Sequence, residues 1–494
     1  MKKIAKKIIE GTIFYILLLG IFGAIAYFLY LFVEKKYDWF LFIVITNYIG
    51  TAITAIVIFV QKRQNQSRVT WLVITILIPI AGMMVFYLFG QRYRNSLDYN
   101  KRINQESIKR EKFNNDKEGN ISCYSQLTKK GEYKSDFEFM SSNKGFDTLF
   151  EEMEKAEKFI HIIYYIIKPG EIYEEFKNLL IKKSKQGVEI RMLIDDFGQW
   201  AMPWYEINEL KSYGINIQIL GKVVFPFISS QNGYRYHRKL VVVDGNRVIT
   251  GGANLADEYA NMNKKYGIWI DYNVLIKGEV VRSYSLLFLQ MWNDLVEKPI
   301  EYDRYLLENK AGQSNSIMIE DGPNYKDQLI HQVLIKMFLS AKNKISFTTP
   351  YLVPTPEIIE ALKTALLSGV EVEIFVPGKT DKKAIVYTAT KYWSNYLQNF
   401  GAKIYVGKNM LIHSKIGLID NNIAWFGSFN IDYRSIYSQF EMVSILEGKD
   451  VKQILDLFEK YEEYSRVLKD QEWKNNKFIS RMIRVLIMFF APML

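Results

Sequence analysis

The sequence holds 494 residues, 49% of them hydrophobic, with a net charge of +11. That length suits two or three domains, and the single cysteine, Cys123, excludes an intramolecular disulfide and a cysteine-cluster zinc site. The cationic balance points to an anionic partner (lipid headgroups, nucleic acid or a phosphorylated substrate), although a solvated basic surface accounts for the charge alone equally well.

The apolar residues concentrate at the start of the chain. Residues 11–33, 39–60 and 69–90 form three uncharged stretches, each near the roughly 20 residues that cross a bilayer as a helix. Trp39, Trp71 and Tyr87 stand near stretch ends, where aromatic rings favour the interface. The expectation is a transmembrane region over 1–90 with three helices. The first stretch is long for a signal peptide and lacks an obvious small-residue cleavage site. Loop charges conflict over orientation. Lys2, Lys3, Lys6 and Lys7 with Lys62, Arg63 and Arg68 place the chain beyond residue 90 outside, whereas Arg92, Arg94, Lys101 and Arg102 place it inside.

Residues 91–135 are charged and read as a linker. At the far end, 471–494 closes with "FISRMIRVLIMFFAPML". Arg481 and Arg484 share a helical face beside a broad apolar surface, the pattern of an interfacial helix. A C-terminal helix packed on a soluble domain has the same pattern.

Between these ends lies a duplication. "HRKLVVVDGNRVITGGAN" begins at His237 and "HSKIGLIDNNIAWFGSFN" at His413. His237, Lys239, Asp244, Gly252 and Asn254 match His413, Lys415, Asp420, Ser428 and Asn430 in spacing. The match extends upstream, as strand, turn, amphipathic helix, strand, and downstream, where Asp271 aligns with Glu441 and Gly278 with Gly448. The region is therefore two lobes of one α/β fold, 136–305 and 306–470, in which strands and helices alternate.

Residues two apart on a strand share a face, so each motif presents its histidine and lysine together. "DGN" and "DNN" read as hairpin turns, where Asp244 and Asp420 are as fit for a structural role as for a chemical one. The small pairs at Gly252 and Ser428 would let a ligand approach the backbone. Asn254 and Asn430 would donate to it or cap a following helix. If the lobes pack about a pseudo-twofold axis, the paired His, Lys and Asn side chains cradle a tetrahedral anion. One imidazole attacks phosphorus and the other protonates the leaving oxygen. Asp271 and Glu441 would each orient a histidine. The motifs contain no metal-ligand cluster and call for no cofactor.

These motifs resemble the duplicated H-x-K-x4-D signature of the phospholipase D superfamily. With "YYIIKPGEI", "TPYLVPTPEI", "GGANLADEY", "GSFNIDYRSIYSQFE" and the apolar leader, the chain is similar to bacterial cardiolipin synthases over nearly its whole length. The resemblance implies mixed sheets flanked by helices in two pseudo-twofold-related lobes, and a multi-pass protein of the bacterial cell membrane. It implies a reaction in which two phosphatidylglycerol molecules give cardiolipin and glycerol through a phosphatidyl-histidine. It also makes the HKD residues of both motifs catalytic, with His237 the nucleophile and His413 the acid and base. The partners implied are phosphatidylglycerol, other anionic phospholipids and the membrane, not nucleic acid. The sequence itself does not order the histidines. Asp321 stands before Gly-Pro where such proteins often carry a small residue, a departure expected to touch substrate access at most. The rival readings are another phosphatidyltransferase, a phospholipase releasing phosphatidic acid, a nuclease and an inactive lipid-binding scaffold. The apolar leader argues against the nuclease, and two intact His-Lys pairs argue against the scaffold.

Overall fold

The computed structural model describes residues 27, 39–61, 63, 65–90, 120–223, 233–263, 267–325, 327–379, 384–470 and 472–473. The chain divides into two compact units, Met1–Arg92 and Tyr93–Leu494.

In the first unit, one helix spans Trp39–Val60, and its stretch Leu41–Val60 is long and apolar enough to cross a membrane. Among the described residues it stands alone in this respect. The expected span over 69–90 is interrupted. It folds as helices Asn65–Leu77 and Pro79–Val85, then a π-turn Phe86–Gly90. Pro79 is the cause: it lacks an N–H, and it pushes the residue before it, Ile78, out of helical geometry (φ −130°, ψ 71°). Arg63 donates to the Gly90 carbonyl at 2.5 Å, and its guanidinium lies 5.3 Å from the centroid of the Phe86 ring. The expected first span, 11–33, lies outside the described residues. So does the terminal helix over 471–494, apart from Glu472 and Trp473.

The second unit begins earlier than the charged composition of 91–135 implies. A helix over Ser122–Thr128 buries Ile121 and Tyr124, and the first strand already starts at Tyr133. A few well-placed apolar residues suffice where the window average reads as linker. The first lobe then supplies β1 (Tyr133–Ser141), β2 (Phe159–Tyr164), β3 (Glu189–Asp195), β4 (Asn216–Leu220), β5 (Arg235–Tyr236), β6 (Leu240–Val243), β7 (Arg247–Gly251), β8 (Ile268–Ile270) and β9 (Tyr272–Gly278). The second supplies β10 (Ser314–Asp321), β11 (Lys344–Thr348), β12 (Glu371–Val376), β13 (Lys403–Gly407), β14 (Met410–Ile412), β15 (Ile416–Ile419), β16 (Ile423–Gly427), β17 (Gln439–Gly448) and β18 (Ser465–Val467).

Sixteen of these strands form one mixed sheet, fifteen of them in the order β18-β13-β12-β11-β15-β16-β17-β10-β1-β9-β7-β6-β2-β3-β4 with β5 beside β17, and β8 and β14 form a separate pair. Apart from β18, the order reads the same from both ends, as a pseudo-twofold axis between β1 and β10 demands. Those two strands pair antiparallel, Tyr133 opposite Ser316, and so weld the lobes into one sheet. The strands toward each end of the sheet pair in parallel and are covered on both faces; β2, "FIHIIY", parallel to β3, is buried at every residue. Helices Val281–Asn293 and Val451–Tyr464 cover the shared face, and a central core joins Phe288 and Trp292 with Phe426, Phe458 and Tyr461. Each lobe has its own core on the other face.

Two short strands cross between lobes. β5, which leads into the first motif, pairs in parallel with β17 of the second lobe. β14, which leads into the second, pairs in parallel with β8 of the first. Each motif thus enters its own lobe from a strand held by the other.

Candidate active site

His237 and Lys239 do not lie within a strand, as their alternation predicts, but in the joint between β5 and β6, and His413 and Lys415 lie in the matching joint between β14 and β15. There the chain changes partners. The His237 amide donates to the Phe440 carbonyl at 3.0 Å, and the His413 amide to the Ile270 carbonyl at 2.8 Å. The crossing strands therefore carry both histidines to one place. Both line a single cleft with Asn254 and Asn430, and with Tyr165, Tyr259, Tyr351, Asp432 and Arg434.

The orienting carboxylates are crossed as well. Glu441 of the second lobe accepts from His237 Nδ1 at 3.0 Å, and Asp271 of the first accepts from His413 Nδ1 at 2.6 Å. Nδ1 is thereby engaged in each ring, which leaves Nε2 for chemistry in the cleft. His237 Nδ1 also lies 3.1 Å from the Ser428 carbonyl. Burial pushes the Glu441 carboxyl up to about 8, while Lys239, the Ser428 hydroxyl and Lys415 pull it down. Tyr165 packs edge-on against His237 at 5.0 Å, and Tyr259 and Trp269 pack on His413 at 5.4 and 5.0 Å. The lysines are buried behind the rings. Lys239 Nζ donates to the His237 carbonyl at 2.5 Å, and Lys415 Nζ stands 2.8 Å from His413 Nδ1.

Several expected ligand contacts fall elsewhere. The aspartates of the motifs stand at the far end of the hairpins, away from the cleft. Asp244 and Asp420 adopt left-handed φ values of 49° and 51° in the turns. Asp244 accepts from the amides of Glu157, Lys158 and Phe159 at 2.8–2.9 Å. Asp420 accepts from those of Lys342, Asn343 and Lys344 at 2.7–2.9 Å. They tie each motif hairpin to the start of β2 or β11, the structural one of the two roles that the spacing allows them. Gly252 makes room for the Asp271 carboxylate, with which a Cβ there would collide. The hydroxyl of Ser428, expected to meet phosphate, donates to Glu441 and receives the Met442 amide at 3.1 Å. Asn254 and Asn430 do line the cleft. Asn254 donates to the Tyr259 hydroxyl at 2.6 Å. Asn430 does not cap the next helix, Tyr433–Tyr437, which is capped by Asp432. Asp321 is buried outside the cleft lining. It accepts from Gly322 and Ile330 at the start of helix Leu329–Ser340, so its departure from the common small residue bears on a helix end.

Two groups at the site escape a reading based on repetition. Arg238, between His237 and Lys239, is fully buried and donates to the carbonyls of Glu441 and Asp321 at 3.0 and 3.1 Å, which clamps the two lobes beneath the cleft. Its counterpart is Ser414, so comparison of the copies hides it. Arg434 lines the cleft four residues after Asn430, but the position four after Asn254 is Glu258, which pairs with Lys168. A residue of opposite charge in the other copy gives no repeat signal.

The sequence profile of the family described as "Cardiolipin synthase, PLD-like domain" matches residues 149–292 and 334–462, one match in each lobe. That described as "Phospholipase_D-nuclease N-terminal" matches 51–91. A protein named cardiolipin synthase from Geobacillus kaustophilus (strain HTA426) is 31% identical, over 89% of this chain and 91% of its own. Another of that name, from Geobacillus sp. (strain WCH70), is 32% identical over the same shares. The crystal structure of phosphatidylserine synthase from Haemophilus influenzae Rd KW20 superposes with a TM-score of 0.58 at 15% identity, covering 76% of this chain and 98% of that one, a likeness of fold. Two profile matches that fall on the two lobes, and relatives more than 30% identical over 89% of the chain, establish that the chain belongs to the phospholipase D-like cardiolipin synthase family.

Proposed function

We propose that this protein is a phosphatidyltransferase that makes cardiolipin and glycerol from two molecules of phosphatidylglycerol. The observation that carries the reading is the convergence of two histidines on one cleft, each with Nδ1 held by a carboxylate of the opposite lobe. Nε2 of His237 attacks the phosphorus of the first lipid. The bond from phosphorus to the glycerol headgroup breaks, and Nε2 of His413 gives the departing oxygen a proton. Glycerol leaves. His413 then takes the proton from a headgroup hydroxyl of the second lipid, whose oxygen attacks phosphorus, forms cardiolipin and frees His237. The carboxylates stabilise imidazolium as it forms. Lys239 and Lys415 neutralise the charge that develops on the phosphoryl oxygens, with Asn254 and Asn430 as donors.

Transfer needs a second anionic lipid beside the first. Arg434 supplies a cation on the cleft wall, outside both His-Lys pairs, suited by its planar fork to the phosphate of the acceptor. The helix Trp39–Val60, long and apolar enough to cross a membrane, anchors the protein in the bacterial cell membrane. The cleft then meets phosphatidylglycerol where hydroxyl-bearing lipid is abundant and water is scarce. The test is the product of the purified full chain in phosphatidylglycerol vesicles, followed by mass spectrometry. Cardiolipin and glycerol should appear in equal amounts, and Arg434→Gln should raise the share of phosphatidic acid. Phosphatidic acid as the dominant product of the unaltered enzyme would make it a phospholipase.

A further inference from the structure

Beyond the cleft, exposed aromatic rings gather in one place. Residues 197–205, "FGQWAMPWY", expose Phe197 by 48%, Trp200 by 52%, Trp204 by 57% and Tyr205 by 66%. Among the described residues of the second unit, these hold every exposed tryptophan and phenylalanine. Exposed single hydrophobics are ordinary, but a run of adjacent large aromatics is not. The segment has no freedom to drift from the site. Asp195, at the end of β3, accepts from the Phe197 amide at 3.0 Å, from Arg235 at 3.2 Å and from the Tyr236 amide at 2.8 Å, so it ties the segment to the strand that delivers His237. Gly198 lies so close to the Tyr165 carbonyl that a Cβ there would collide with it, and Tyr165 lines the cleft. On the His413 side, Ile268, exposed by 59%, precedes the Trp269 that packs on the His413 ring. Exposed apolar groups thus flank both halves of the cleft.

From this we infer that residues 197–205 dock the catalytic lobes on the phospholipid interface, with the Trp200, Trp204 and Tyr205 rings at headgroup depth beside the cleft mouth. The occupant follows from the chemistry. Tryptophan and tyrosine combine an apolar body with a polar edge, the composition favoured at a membrane interface. The same chain carries a helix long and apolar enough to cross a membrane, which makes a bilayer the surface these rings would meet. The inference rests on the proposed lipid transferase activity for its purpose, and on exposure and position for its geometry. Docking here would let a headgroup enter the cleft while its acyl chains remain in the bilayer.

The single cysteine makes the test direct. In a Cys123→Ser background, Trp204→Cys and, as a reference on a helix of the second lobe, Leu367→Cys (71% exposed in the native chain) each carry an environment-sensitive fluorophore. The full chain is reconstituted in phosphatidylglycerol–phosphatidylcholine vesicles. The probe at 204 should be quenched at least fivefold more by brominated lipid than the probe at 367, and less by aqueous iodide. Equal behaviour at the two positions would overturn the inference. So would a probe at 204 shielded from both quenchers, since a second copy would then cover the face. Activity provides a second arm. Trp200→Ala/Trp204→Ala should slow turnover of bilayer phosphatidylglycerol at least tenfold and leave that of a monomeric short-chain analogue within twofold; equal losses on both substrates would count against docking. A native chain that makes no cardiolipin, with the 204 probe in lipid, would remove the activity reading and leave the docking surface standing.

Discussion

The two histidines occupy copies of one motif, yet their supports differ. His413 is held at 2.6 Å by an aspartate, and His237 at 3.0 Å by a glutamate, one methylene longer. The residue beneath each carboxylate differs to match. Gly252 leaves the space that brings Asp271 in close, whereas Ser428 fills that space and donates to Glu441. Carboxylate and small residue are therefore one unit that was adjusted in each copy. Symmetry places the histidines, and the departures from symmetry give them different surroundings.

The largest expected effect comes from removing either ring. His237→Ala and His413→Ala should each reduce cardiolipin formation by about a thousandfold or more, the scale of losing a nucleophile or a positioned acid. A phosphodiester with a nitrophenolate leaving group separates the roles. Its leaving group departs without a proton, so the first step should survive His413→Ala and stay absent in His237→Ala. The reverse pattern, read from release of nitrophenolate, would exchange the assignments.

Next come the residues beneath the carboxylates. Gly252→Ala drives a methyl group into Asp271 and should displace His413, with a loss of about a hundredfold for a misplacement of this kind. Ser428→Ala removes one hydrogen bond and should lower kcat/KM about tenfold. Its pH profile carries the sharper signal. The hydroxyl of Ser428 holds the Glu441 carboxyl below where burial alone would put it, and the group still sits at about 8. Without that donor Glu441 ionises at higher pH, so the acidic limb of kcat/KM should move upward. Ser428→Thr, which keeps a hydroxyl, should restore it. A limb that stays in place in Ser428→Ala would show that ionisation of Glu441 does not govern the reaction.

Duplication is also what made the site legible. The α/β class, the two lobes, the register of Asp271 with Glu441 and the pairing of histidines come from two copies in step, and the strand order repeats that symmetry. The features hidden from the sequence lie where the copies differ or the chain changes partners. Arg238 and Arg434 face Ser414 and Glu258 in the other copy. The crossing of the carboxylates arises from β5 and β14, strands of two and three residues that are too short to announce themselves by alternation. Pro79 did stand in the sequence as a helix breaker, but the apolar run around it carried more weight than a single residue.

The smallest effect on chemistry is expected at the other end of each motif, and it tests whether conformity to the motif means catalysis. Asp244 and Asp420 each satisfy three backbone amides at the start of a central strand, and each holds a turn with positive φ. Replacing either by Ala strands those amides, buried or partly so at Asp244 and mostly exposed at Asp420, and places a residue without a local hydrogen-bonding side chain in a left-handed turn. The loss of stability should be about 1–3 kcal/mol for Asp244, the scale of buried donors left unpaired, and smaller for Asp420, where water can reach two of the three amides. Turnover by the fraction that remains folded should stay within a few-fold of the native chain, because both carboxylates are engaged by backbone amides at the end of the hairpin away from the histidines. Asp244→Asn should fall between, since its amide oxygen still accepts and asparagine tolerates positive φ. Thermal unfolding in detergent, read beside kcat per folded enzyme, separates the two quantities. A loss of turnover on the scale of the histidine variants, with the melting temperature unchanged, would return these aspartates to the reaction.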